Sequence, residues 1–209
     1  SAWRDNQQLH QRIAELEIEN ARLRVAGVEN QQLRARLSLP AFHSYTLRPV
    51  EVLALSGEPV PAAATLSSGF RQGVSEGDAV VTRDGLLGRV GECYPGMSRA
   101  VLLTDLNSAA ACEVETTGVL GVLRFSMIPH PRLTLTGVPL TDTVRIGEHI
   151  VTSGLSRRYP RGLPVGTVSH LGRDPSGLLQ DIEIEPAARL SRIRHAFTIS
   201  HPASAEDLP

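Results

Sequence analysis

No stretch of this 209-residue chain approaches the roughly 20 consecutive apolar residues that a membrane-spanning helix requires. Aromatic residues are scarce, at 4%, which argues against stacking platforms for bases or sugars. A formal net charge of −1 gives no general basic excess, so no nucleic-acid partner is expected. The two cysteines, Cys93 and Cys112, form no C-x-x-C or metal spacing. They read as two small buried hydrophobes on strands, and spacing alone does not decide whether they form a disulfide. The seven histidines contain no H-E-x-x-H motif or paired spacing, so neither a metal nor a cofactor is expected. An initiator Met is also missing. The chain begins Ser-Ala-Trp, as a processed product would, and the expectation is a membrane-anchoring N-terminal helix that this chain lacks. Trp3 beside Arg4 suits a membrane–water interface just after such an anchor as well as it suits a lone exposed Trp.

Proline is absent from residues 3–38 and glycine occurs there once, at Gly27, in a run of Gln, Glu, Arg, Leu and Ala. Leu9, Ile13, Leu16, Asn20 and Leu23 recur at alternating spacings of four and three, the a/d seam of a coiled coil. Past Leu23 the phase shifts, and Ala26, Asn30, Leu33 and Leu37 carry the seam on. The change reads as a stammer near Gly27, where glycine costs about 1 kcal/mol of helix propensity. Asn20 and Asn30 would exchange stability for a fixed register and oligomeric state. A helix of this length cannot bury its apolar stripe alone. Self-association is expected, against the alternative of packing back on its own β domain. Pro40 ends the helix.

Beyond a linker at 41–48, the apolar period becomes two. Short runs separated by Gly, Pro, Asn and Asp follow to residue 200, and the tail 201–209 is polar. Asp84-Gly85 between two apolar runs predicts a hairpin with a type I′ turn. About a dozen short strands with closely spaced turns predict small barrels or a sandwich. One stretch has an echo. In residues 144–168, Val144, Gly147, Glu148, Ile150, Val151 and Thr152 repeat Val74, Gly77, Asp78, Val80, Val81 and Thr82 of residues 74–90. Two similar β units are expected. Gly85, Gly88, Gly154, Gly162 and Gly166 mark turns, bulges or close backbone approach.

Two readings compete for the loop after Thr152. Thr152-Ser153-Gly154 invites a hydrolase, but no G-x-S-x-G elbow exists, and His43, His130, His149 and His170 lie in no recognisable active-site motif. The alternative is that both hydroxyls hold a tight turn, so no catalytic residue and no enzyme activity are expected. Arg157, Arg158, Tyr159 and Arg161 are residue types found at interface hot spots, and could present either a partner-binding loop or a solvated basic one.

The ordered set of motifs resembles the MreC family of bacterial rod shape-determining proteins. The pieces are the heptad helix ending E-N-Q-Q-L-R-A-R-L, then G-L-L-G-R-V at 85–90, V-L-L-T-D at 101–105, V-T-S-G-L at 151–155, and P-R-G-L-P-V-G at 160–166. The resemblance covers residues 10–200. It implies a mainly β protein with one long N-terminal α-helix: a coiled coil at 1–40, then two small β-barrel lobes. These are placed at 49–115, with completion by C-terminal strands left open, and at 116–200. It further implies a non-enzymatic scaffold on the periplasmic side of the inner membrane. That scaffold associates with itself as a dimer or filament. It links the MreB cytoskeleton, through MreD, to RodA and a class B penicillin-binding transpeptidase. Glu148 departs from the Asp more usual in the family after that glycine and keeps its charge. A periplasmic adaptor of a tripartite efflux or secretion pump is the alternative, but such adaptors insert a helical hairpin between two half-motifs, and here a single helix precedes the β region.

Overall fold

The computed structural model describes residues 2–36, 45–156, 158–190 and 192–200. The chain divides into a helical unit, Ser1–Ser44, and a β unit, Tyr45–Pro209.

The helical unit is one α-helix, α1 (Ala2–Arg36), which passes through Gly27 without interruption. Its length follows from composition: Ala, Leu, Glu, Gln and Arg are the strongest helix formers, and no proline intervenes. Asp5 lies in the first turn, where a negative charge suits the helix dipole. Glu15 accepts hydrogen bonds from Gln11 and Arg12 one turn earlier. No helix of the described residues is long and apolar enough to cross a membrane.

The β unit has twelve strands: β1 (Thr46–Ser56), β2 (Ala63–Leu66), β3 (Ala79–Val81), β4 (Leu86–Cys93), β5 (Ser98–Leu102), β6 (Ala109–Val114), β7 (Leu120–Ser126), β8 (Arg132–Thr136), β9 (His149–Thr152), β10 (Pro164–Arg173), β11 (Gln180–Pro186) and β12 (His195–Ser200). They form two closed antiparallel barrels. The first runs β1-β12-β3-β4-β5-β2 and the second β10-β11-β8-β7-β6-β9. The last strand therefore closes the first barrel: β12 pairs with β1 from Thr46↔Ser200 to Glu51↔His195, and with β3 on its other side.

One expected boundary is corrected. The strand at 109–114, grouped with the first lobe at 49–115, belongs to the second barrel, where it pairs with β7 and β9. The turn at 105–108 looks like a hairpin in sequence because consecutive strands usually pair. In the structure it is the passage between barrels. Asn107 N–H donates to Asp105 Oδ1 at 2.8 Å, and Thr104 Oγ1 donates to the Pro61 carbonyl.

Alternation puts one face of strands such as β6 and β11 into the core, whereas β3 is buried along its whole length. In β6, Ala110, Cys112 and Val114 are buried, and in β11, Ile182 and Ile184. The two barrels share one continuous apolar core that includes Leu66, Leu86 and Leu102 of the first and Leu123, Leu135 and Ile150 of the second. They touch closely at Gly85, where an added Cβ would lie 2.8 Å from the Pro164 carbonyl oxygen and 2.9 Å from Ala187 Cβ.

The echo in sequence is an echo in hydrogen bonding. Gly77 and Gly147 take positive φ, 89° and 90°. Gly77 N–H donates to the Val90 carbonyl at 2.8 Å, and Gly147 N–H to that of Val168 at 2.8 Å. Val90 and Val168 return the bond to the carbonyls of Asp78 and Glu148. Each acid then accepts a bond three residues back, from Ser75 N–H at 2.9 Å and Arg145 N–H at 2.8 Å. The barrels thus carry the same turn-and-strand unit. The second copy differs by the longer connection 153–162, which replaces the hairpin tip Arg83-Asp84 of the first.

Candidate interaction surfaces

On α1 the seam residues Leu9, Ile13, Leu16, Leu23 and Leu33 are 50–64% exposed, and Asn20 and Asn30 lie on the same seam. Leu37 falls outside the described residues. A second apolar stripe escaped the sequence reading: Ile18, Ala21, Val25 and Val28, spaced three, four and three, are exposed on the other side of the helix. The heptad template finds it once a second phase is tried.

The connection from β9 to β10 is held from within. Thr152 is fully buried; its Oγ1 donates to the Pro160 carbonyl and accepts from Leu163 N–H at 2.9 Å. Ser153 is buried too, its N–H donating to the Ala111 carbonyl at 3.0 Å and its Oγ accepting from Leu155 N–H at 3.4 Å. The His149 ring instead meets Thr167 Oγ1 at 3.4 Å, and the His130 ring meets Glu183 at 3.4 Å. No nucleophile, base and orienting group come together around Ser153 among the described residues.

The expected contact loop is split. Tyr159 is buried, 3% exposed, and cannot belong to a surface patch. Its ring enters the core beside Cys112, and its hydroxyl makes no well-formed hydrogen bond, with Ser108 as a polar neighbour. A tyrosine next to arginines has hot-spot composition, but burial decides its role, and Tyr159 pins the loop down. Arg158 is exposed. Arg161 is tied to Glu113 of β6, its Nε and Nη2 donating to Oε1 at 2.9 and 2.8 Å. Arg157 falls outside the described residues.

The five glycines divide by mechanism. Gly154 and Gly162 have positive φ, 74° and 85°, and form turns. Gly88 and Gly166 sit within strands and mark close backbone approach. Gly85 follows the hairpin tip, but its φ is not positive and the turn is not type I′. Thr82 N–H donates to the Gly85 carbonyl at 2.8 Å, and Gly85 N–H turns to Thr82 Oγ1 at 3.3 Å. The neighbouring barrel, rather than turn geometry, demands glycine there. Closure of both barrels likewise removes the free strand edges that would suit partner binding by strand addition.

Burial governs two titratable groups. It pushes the Cys112 thiol up to about 12 and the Tyr159 phenol up to about 12, against ordinary values of 9.0 and 10.0. Both cysteines are free; they lie in different barrels, and Cys93 Sγ donates to the Val74 carbonyl at 3.2 Å. Below about pH 8 both buried groups stay protonated whether the chain is folded or not, and they leave stability unchanged. At higher pH the unfolded chain loses these protons first, so stability falls as pH rises toward the folded values. The loss should reach about 4 kcal/mol for Cys112 and about 3 kcal/mol for Tyr159. Urea titrations at increasing alkaline pH should show this decline, and Tyr159→Phe should make it shallower.

A heptad-patterned helix leading into two barrels that share a core defines a coiled-coil protein with a double-barrel head. Within that class the chain belongs to the MreC family: residues 52–200 match the family model described as "Rod shape-determining protein MreC, barrel core". The cell shape-determining protein MreC of Escherichia coli (strain K12) is 29% identical over 203 residues, covering 95% of this chain and 55% of that protein. The chain spans about half the length of the curated relatives it matches. Among solved structures, MreC of Listeria monocytogenes superposes with a TM-score of 0.81 at 24% identity, over 95% of this chain and 97% of the other. A structure of the major periplasmic domain of the cell shape-determining filament MreC gives a TM-score of 0.63 at 17% identity, over 77% of this chain and 98% of the other. The complex between penicillin-binding protein PBP2 and MreC from Helicobacter pylori contains a chain matching with a TM-score of 0.60 at 17% identity, over 76% of this chain and all of that one. These likenesses show the shared fold.

Proposed function

We propose that this chain is the periplasmic part of a non-enzymatic scaffold of cell elongation, anchored on the inner membrane. It associates with itself through α1 and uses the barrel head to hold peptidoglycan synthases, a class B penicillin-binding transpeptidase with its partner RodA. Through MreD it connects them to MreB and so maintains rod shape. Family membership supports the role in shape. The PBP2 complex of the H. pylori relative supports a transpeptidase partner, and the periplasmic, filament-forming relative supports both location and self-association. The observation that carries the reading is the bare seam of α1, whose leucines and isoleucine are half or more exposed. An isolated helix has little reason to keep a continuous apolar stripe in water.

The chain immobilised on a resin should retain the class B transpeptidase of its own organism, and that retention should survive Arg158→Ala if the β9–β10 loop is only a solvated one. Failure to retain the transpeptidase would remove it as a direct partner of the head. A monomeric mass in sedimentation equilibrium would remove self-association through α1.

A further inference from the structure

Where the chain passes from the second barrel back to the first, residues 187–190 and 192–194 present two unlike sides. Leu190 and Ile193 are buried, whereas Arg189, Arg192 and Arg194 stand in solvent. Across from them lies the β3–β4 hairpin tip with Arg83 and Asp84, and together these residues line a cleft of about 960 Å³. Ile193 and Phe197 supply apolar surface within it. Its one lining carboxylate, Asp84, already faces Arg83 at 3.3 Å. No carboxylate of the described residues lies within ion-pair distance of Arg189, Arg192 or Arg194. Glu51 stands opposite His195 on the neighbouring strand and is not part of the lining.

Four guanidinium groups against one carboxylate make a concentrated positive field on a chain whose net charge is −1. Guanidinium groups offer a planar fork of donors that fits carboxylates and phosphates. The arrangement chooses between them. A phosphate site converges its donors on one point, often with a helix N-terminus or glycine-rich backbone. Here Arg189 and Arg192 stand at the two ends of a turn, Arg192 N–H donating to the Arg189 carbonyl at 3.3 Å, Arg194 follows just before β12, Arg83 comes from the hairpin tip, and Ile193 and Phe197 lie among them in the lining. That pattern suits several separated carboxylates with an apolar side chain among them.

We propose that this cleft docks an acidic segment of a partner protein, with its carboxylates on Arg189, Arg192 and Arg194 and an apolar side chain against Phe197. The surface lies on the β head and is independent of the α1 seam, so its failure would leave the scaffold reading standing.

The test measures fluorescence anisotropy of a labelled peptide rich in Glu, Asp and Leu. The protein is the whole chain, compared with its R189E/R192E/R194E variant. The acidic peptide should bind, weaken as salt rises, and lose roughly tenfold or more in affinity on charge reversal. The same peptide with Gln and Asn in place of its acids should not bind. The altered side chains lie outside the core, so the variant should melt with the wild type, and Arg192→Gln alone should give a smaller loss in the same direction. Equal affinity for wild type and the triple variant would overturn the proposal, as would no binding of the acidic peptide. Binding of pyrophosphate or of phosphatidylglycerol vesicles without binding of the peptide would overturn it in favour of a phosphate ligand.

Discussion

Gly88→Ala and Gly166→Ala should each destabilise the β head by about 3–5 kcal/mol, far beyond an ordinary surface change. The two glycines are equivalent positions in the two barrels: Gly88 pairs with Val80, and Gly166 with Ile150. At each, an adjacent strand comes too near for a side chain. A Cβ on Gly88 would lie 2.0 Å from the Val101 carbonyl oxygen and 2.8 Å from Leu102 Cα. A Cβ on Gly166 would lie 2.2 Å from the Glu185 carbonyl oxygen and 2.7 Å from Ile184 Cγ2. The nearest obstacle is backbone, which cannot rotate aside as a flexible side chain can. Relief requires the strands to separate, which breaks the ladder and opens the ring. Since domains of this size hold about 5–15 kcal/mol in total, either substitution removes a large share of it, and the two together should leave the head unfolded. Gly96→Ala is the control: its Cβ would meet nothing within 4 Å, and its φ is not in the left-handed region. Thermal melting followed by circular dichroism checks all three. A Gly88→Ala melt matching that of Gly96→Ala would show that the close approach carries no energetic weight.

These glycines also show what could be read from sequence. The repeated turn was legible because its determinants are local: a valine to bury, a glycine for positive φ, an acid to accept the bond from three residues back. The helix was legible because heptad spacing and the absence of proline are local as well. Gly88 and Gly166 could be singled out as turns, bulges or close approaches, but not assigned to one of these, because each is fixed by the register and approach of the following strand, β5 or β11. The same limit explains β6, whose partners β7 and β9 both lie beyond the lobe boundary expected at residue 115. It explains Tyr159, since residue type gives no sign of which side of a loop faces the core. It also explains the arginine cleft. Arg189, Arg192 and Arg194 look like scattered surface charges until β12 returns to the first barrel and brings them opposite Arg83. Alternation of buried Leu190 and Ile193 with these arginines was the available signal, in a segment too short to read as a strand.

Leu16→Asp combined with Leu33→Asp should convert a self-associated chain to monomer while leaving the β head folded. A coiled-coil seam is dry when paired, and an aspartate there must either be buried without a partner or force the helices apart. The penalty is about 3 kcal/mol or more for each buried unpaired charge, and a dimer would carry four of them. No plausible helix pairing offsets that sum. The unpaired helix should also lose much of its circular dichroism signal, because long helices in water owe their stability mainly to the packing of an apolar face. The head should melt as before, since it has its own apolar core. The second stripe sets the comparison. Ile18→Asp with Val25→Asp places the same charges on the other side of the helix. If Leu9, Ile13, Leu16, Asn20 and Leu23 form the dimer seam, this variant keeps its dimeric mass in sedimentation equilibrium and loses only larger assemblies. If it becomes monomeric while the Leu16/Leu33 variant stays dimeric, the pairing face is the Ile18–Val25 stripe and the assigned seam is wrong. Unchanged mass in both would remove α1 from self-association altogether.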